Sequence, residues 1–142
     1  MDSGNGTGRM DMENNTFTKA ERLCSRKAIE TLFAGGAQAL TAFPLRAVFR
    51  QVDEGAEVPV SVLVSVSKKR FKRAVKRNRV KRQIREAYRK NKHPLTALLA
   101  ERGAGLHLAI IYLSNELYAS PRIESRMAEL LERIGKKVGG TA

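Results

Sequence analysis

The chain has no tryptophan, one cysteine and two histidines among its 142 residues, and each scarcity removes a class of protein. Cys24 alone cannot build a disulfide framework or a thiolate metal site, so a reducing cytosol suits the chain. As a nucleophile it would need a base that the spacing does not supply, and a small packed thiol is its ordinary role. Neither His93 nor His107 has a cysteine or another histidine at ligand spacing. Both read as structural, the first preceding Pro94 at a helix end and the second opening a strand. Three tyrosines and five phenylalanines leave a core that must be mainly aliphatic. No stretch approaches the roughly 20 apolar residues of a membrane span. Met1 to Asn15 lacks the apolar heart of a signal peptide. A cytoplasmic protein without a membrane partner is expected. The acids are scattered, with no paired carboxylates and no Ser, His and Asp set, so neither a catalytic side chain nor a protein metal site is expected.

Acids are scarcest where bases are densest. Between Lys68 and Lys92 stand fourteen lysines and arginines against one acid, Glu86, while the rest of the chain holds thirteen of each sign. The whole net charge of +13 therefore sits in one segment. Such a run is either a solvated tail or the footprint of a polyanion, and the spacing of its apolar residues decides between them.

The composition of Met1 to Asn15, rich in Gly, Asn and Asp, cannot repay its ordering entropy and reads as a disordered extension. One domain over 16–138 follows, with a flexible end at 139–142. Thr18-Lys19-Ala20-Glu21 has the form of a capping box and Ser25 offers a second N-cap; in either case a helix carrying Ile29, Leu32 and Phe33 ends at Gly35-Gly36. Phe43 to Arg50 and Val58 to Ser67 read as strands, the second placing Val58, Val60, Val62, Val64 and Val66 on one face. A turn at Asp53-Glu54-Gly55 joins them, which predicts an antiparallel hairpin. A short helix through Leu95, Leu98 and Leu99 follows Pro94, and Leu106 to Leu113 has the look of a buried central strand. Ser120 as N-cap with Pro121 behind it predicts a last helix presenting Ile123, Met127, Leu130, Leu131 and Ile134 to the sheet.

The basic run, about Ala74 to Asn91, has helical period. At about 100° per residue Val80, Ile84, Ala87 and Tyr88 share one side, and Asn78, Arg82, Arg85 and Arg89 the opposite one, a stripe about 16 Å long. A solvated tail has no reason to interleave apolar residues in this way. Like charges repel by a few tenths of a kcal/mol per pair, and guanidinium forks suit phosphate oxygens. A polyanion relieves the repulsion. Phe33 and Phe43 are open to two readings, as core residues or as stacking surfaces for bases.

Ser65-Val66-Ser67-Lys68-Lys69, Ala74-Val75 and Arg77-Asn78-Arg79-Val80-Lys81-Arg82-Gln83-Ile84-Arg85-Glu86-Ala87-Tyr88-Arg89 closely resemble the signature of the bacterial ribonuclease P protein family. The likeness extends more weakly from Thr18 to about Gly135. It implies an α+β fold, an α/β sandwich of about four strands with flanking helices and a left-handed βαβ crossover. It also implies a subunit that binds the catalytic RNA and the 5′ leader of precursor tRNA. Hydrolysis would belong to that RNA and its Mg²⁺, with no cofactor on the protein alone and no obligatory protein partner. The RNA-binding residues so implied are Lys68, Lys69, Arg70, Lys72, Arg73, Arg77, Asn78, Arg79, Lys81, Arg82, Arg85 and Arg89; those of the leader cleft are Arg22, Ile29, Phe33 and Arg46. Two departures stand out. Arg70 to Arg73 lacks a glycine frequent in the family and is one residue longer, and Ile29 falls where an aromatic is common. The competing readings are a ribosomal-type RNA-binding protein without a processing role and a DNA-binding module, the latter lacking a helix-turn-helix or dimer seam.

Overall fold

The computed structural model describes residues 22–23, 26–52 and 59–139. The extension Met1 to Asn15, the Thr18 to Glu21 box, Cys24, Ser25, the Asp53 to Gly55 turn and Val58 lie outside the described residues. In chain order the elements are α1 (Arg26–Phe33), β1 (Gln38–Ala42), β2 (Leu45–Val52), β3 (Val60–Ser65), α2 (Ala74–Asn91), α3 (His93–Arg102), β4 (Gly105–Tyr112) and α4 (Ser120–Val138).

The four strands form one mixed sheet in the order β1-β2-β4-β3. β4 lies antiparallel to β2, with Val48 opposite Ala109, and parallel to β3, with Val62 opposite Leu108. The antiparallel hairpin of β2 with β3 is therefore not formed. The reason lies in β4, whose Leu106, Leu108, Ala109 and Ile110 are all buried and whose two faces both need cover; it takes the centre between them. The hairpin partner of β2 is instead β1, paired from Gln38↔Phe49 to Ala42↔Leu45. Phe43, expected to open a strand, sits in the turn between these two.

Alternation along the strands divides the sheet into two faces. Leu45, Ala47 and Phe49 of β2, Val60 and Val62 of β3, and Leu106, Leu108, Ile110 and Tyr112 of β4 enter the main core. They meet Val80, Ile84, Ala87 and Tyr88 of α2, Leu95 and Leu99 of α3, and Ile123, Met127, Leu130, Leu131 and Ile134 of α4. The apolar faces expected of α2 and α4 are thus the buried ones. On the other face Val48 and Ala109 join Leu23 and Leu32 in a smaller cluster, with Ile29, Leu63 and Ile111 packed against it.

Glycines end two helices where the backbone enters the left-handed region. Gly35 and Gly36, at φ 124° and 82°, follow α1, and Gly103, at φ 66°, closes α3 with its N–H donating to the Ala100 carbonyl at 3.2 Å. At α4 the N-cap is Ala119 rather than Ser120. The Ser120 hydroxyl is engaged elsewhere, accepting from Gln83 Nε2 at 3.2 Å.

Candidate nucleic-acid interface

The basic helix α2 packs on the core through Val80, Ile84, Ala87 and Tyr88, which are fully buried. Its other sides carry most of the cations of the segment. Asn78 and Arg82 are exposed, whereas Arg85 is partly buried. Burial and the nearby positive charge of Arg22 together lower the Arg85 pKa. Arg22 itself reaches the α2 flank of the sheet because its backbone forms a bridge to Val62, at the edge strand β3. Leu23, next in the chain, donates its N–H to the Val62 carbonyl at 2.8 Å. The stripe thus runs from Asn78 and Arg82 toward the face of the sheet that carries α1, with Arg22 extending it. Arg89 is drawn into an ion pair with Glu86.

The loop from Ser67 to Arg73 feeds α2 and presents Lys68, Lys69, Lys72 and Arg73 to solvent, with Arg70 half-buried. It is built without a glycine. Arg70 N donates to the Ser67 carbonyl at 3.0 Å, and Phe71 buries its ring near Tyr112, centroids 6.0 Å apart. Arg77 spends its guanidinium here, donating Nη1 to the carbonyls of Phe71 at 2.9 Å and Lys72 at 2.8 Å. Arg70 Nη1 reaches Asn115 Oδ1 at 3.3 Å. Arg77 therefore shapes the loop, while its neighbours Arg79 and Lys81 lie on the outer sides of α2.

Of the residues assigned to a leader cleft, Arg22 lies beside the edge strand β3, and Ile29, Phe33 and Arg46 fall on the opposite face of the sheet from α4. Arg46 is exposed there, in a register row with Thr41 of β1 and Ile111 of β4, which in turn lies opposite Ser65 of β3. Ile29 packs against the small core under α1, and Phe33, at the end of that helix, keeps 48% of its surface exposed. The core reading of Phe33 does not hold. Arg50, on the same face, donates to the Gly35 carbonyl at 3.3 Å and ties the end of α1 to β2. His107, opposite both Arg50 and Ser61, has a pKa lowered by burial. The structure thus gives a basic helical flank and a second face with an exposed aromatic, two arginines and hydroxyls.

On α4, Glu124 pairs with Lys90 at 3.0 Å, and Glu129 with Arg126 at 3.2 Å and Arg133 at 3.5 Å. Among the described residues no three His, Cys, Asp or Glu side chains are grouped to hold a metal ion, and no helix is long and apolar enough to cross a membrane.

A family model described as Ribonuclease P matches residues 17–135. The chain belongs to the ribonuclease P protein family. The ribonuclease P protein component of Porphyromonas gingivalis is 46% identical over 126 residues, covering 89% of this chain and 91% of the relative. That of Chlorobaculum tepidum is 36% identical over 126 residues, covering 84% and 81%. Among solved structures, the ribonuclease P protein of Thermotoga maritima aligns with a TM-score of 0.62 at 23% identity, covering 80% of this chain and 96% of that one. The Staphylococcus aureus ribonuclease P protein aligns with a TM-score of 0.61 at 20% identity, covering 83% and 97%. These structures share the mixed four-stranded sheet with its helices. The ribosomal-type and DNA-binding readings are set aside by the family.

Proposed function

We propose that the chain is a cytoplasmic protein subunit that binds ribonuclease P RNA through α2 and the Lys68 to Arg73 loop. It would bind the 5′ leader of precursor tRNA on the α1 face of the sheet. The observation that carries this reading is the confinement of the net charge to one folded segment whose Val80, Ile84, Ala87 and Tyr88 are buried and whose arginines are not. Phosphate and shape recognition need such a cationic surface more than base-reading side chains. Lys68, Lys69, Arg70, Lys72, Arg73, Asn78, Arg79, Lys81, Arg82 and Arg85 make the phosphate contacts in this account. Arg89 contributes once it leaves Glu86, and Arg77 acts by shaping the loop. Arg22 and Arg46 hold leader phosphates at the margins of the α1 face, with Phe33 offering a ring to a base and Ile29 an apolar wall.

Cleavage of the phosphodiester is assigned to the RNA and the Mg²⁺ it holds. The protein's part is to neutralise phosphates and position the leader, raising the affinity of the complex for precursor over mature tRNA. Equilibrium binding tests this: the reconstituted complex is expected to hold precursor tRNA more tightly than mature tRNA. Equal affinity for both would contradict the leader assignment.

A further inference from the structure

Phe43 and Tyr118 are far apart in sequence and meet at one end of the sheet, outside both surfaces described above. Their rings stand edge to face, centroids 6.4 Å apart and planes at 81°. The Arg122 guanidinium lies 4.8 Å from the centre of the Tyr118 ring. Phe43 nevertheless leaves half of its surface, 50%, in solvent. Leu117 and Tyr118 pack against the main core, so the cluster lies on the helical side of the sheet, opposite α1.

The cluster is fixed by its backbone and by α2. Leu113 N donates to the Pro44 carbonyl at 2.8 Å, docking the Phe43 turn onto the end of β4. The Tyr112 hydroxyl donates to the Glu116 carbonyl at 2.6 Å, and the Ser114 and Tyr118 hydroxyls lie 3.3 Å apart. Gln83, on α2, donates Nε2 to the Tyr118 carbonyl at 2.9 Å and to Ser120 Oγ at 3.2 Å. Lys76 and Arg79 share the side of α2 that carries Gln83, being seven and four residues before it, and both are exposed. From the loop side Arg70 reaches Asn115, three residues before Tyr118. Against these cations stand Glu116 and Glu124, the latter paired with Lys90.

An aromatic surface tied by hydrogen bonds to α2 and β4, with Arg122 on the Tyr118 ring and Arg79, Lys76 and Arg70 on the elements that hold it, has the two properties that unpaired nucleotides need: a ring for the base and cations for the flanking phosphates. We infer that the Phe43–Tyr118–Arg122 cluster is a stacking site for an unpaired RNA base, continuous with the phosphate-binding side of α2. The site rests on the RNA-binding reading above and adds a contact to it. The base comes from ribonuclease P RNA or from the precursor leader, and the two sources are separated by the experiment.

The test uses the full chain with Phe43→Leu, Phe43→Trp and Arg122→Gln. Affinity is measured at several salt concentrations for ribonuclease P RNA, then for precursor and mature tRNA with the reconstituted complex, alongside melting curves. Phe43→Leu is expected to weaken binding by about fivefold or more with an unchanged salt slope, because a lost stack releases no counterion. Phe43→Trp should keep the affinity, and Arg122→Gln should flatten the slope by about one unit or slightly less. A loss against ribonuclease P RNA alone assigns the base to that RNA; a loss confined to precursor tRNA assigns it to the leader. The site is refuted if Phe43→Leu binds every RNA as the unaltered chain does, or if Phe43→Leu and Phe43→Trp lose affinity alike in step with their melting temperatures, the mark of a ring that only tethers the turn. Intact Phe43→Leu binding beside weakened Arg82→Ala binding sinks the stacking site and leaves the RNA reading standing. Failure of the unaltered chain to bind any of the RNAs sinks both.

Discussion

Phe33 ends α1 with nearly half its surface in water, so its truncation removes little core. Phe33→Ala is expected to leave the melting temperature close to that of the unaltered chain, well short of the roughly 3–5 kcal/mol that truncating a buried Phe costs. The same change should reduce the preference for precursor over mature tRNA by about 1–3 kcal/mol if a leader base stacks on the ring. Arg82→Ala and Arg85→Ala should do the reverse, weakening the hold on ribonuclease P RNA and flattening its salt slope by up to about one unit each while leader preference survives. Comparing the two RNA affinities of these variants with their melting curves separates the surfaces; identical losses in both would contradict the separation.

Two titrating groups on β4 give stability a pH dependence. Burial lowers the His107 pKa, so the unfolded chain takes up a proton before the folded one does. Stability should therefore decline as pH falls through about 6.5 and level off below the lowered folded value. Tyr112, whose hydroxyl donates to the Glu116 carbonyl, is pushed up to about 12, first by burial and then by Tyr118 and Glu116. The unfolded tyrosine ionises first, so stability should also fall as pH rises from about 10 toward about 12. Denaturant melts across pH check both limbs, and His107→Gln should remove the acid-side contribution of this residue.

At the scale of elements, α2 is both the proposed RNA surface and a wall of the core, and the two roles divide by helix face. Ile84→Ala should destabilise the fold by about 2–5 kcal/mol, measurable by denaturant unfolding, because Ile84 is fully buried. Its effect on RNA affinity under folding conditions should be small. This division was legible in the sequence because eighteen residues give period 3.6 five turns in which to show itself. The strand β1 was not legible: Gln-Ala-Leu-Thr-Ala buries only its last residue fully and lacks an alternating apolar face. Pairing β2 with β3 failed for a related reason. Nearness in sequence favours a hairpin, but the doubly buried β4 demands neighbours on both edges, a requirement that only the assembled sheet expresses. At α4, serine before proline suggested a cap, yet Gln83 claims the Ser120 hydroxyl from a helix distant in sequence. The arginines of the candidate site were visible as a stripe. The role of Arg77 in holding its own loop, and the meeting of Phe43 with Tyr118 and Arg122, were not, since each depends on contacts the fold creates.

For the whole molecule, charge and topology act together. The chain from β3 through α2 and α3 returns to β4 beside and parallel to β3, and this crossover, with the loop that feeds it, carries the entire charge excess. If about five phosphates are engaged, the logarithm of affinity for ribonuclease P RNA should fall with the logarithm of salt concentration at a slope of about −3 to −5. A nearly flat dependence would mean that the stripe is only a solvated helix face. Whether this surface serves a catalytic RNA in tRNA maturation is decided by cleavage of precursor tRNA by the cognate ribonuclease P RNA at low Mg²⁺, with and without the protein. Marked stimulation by the protein and no cleavage by the purified protein alone are expected; absence of stimulation at every salt concentration would contradict this role.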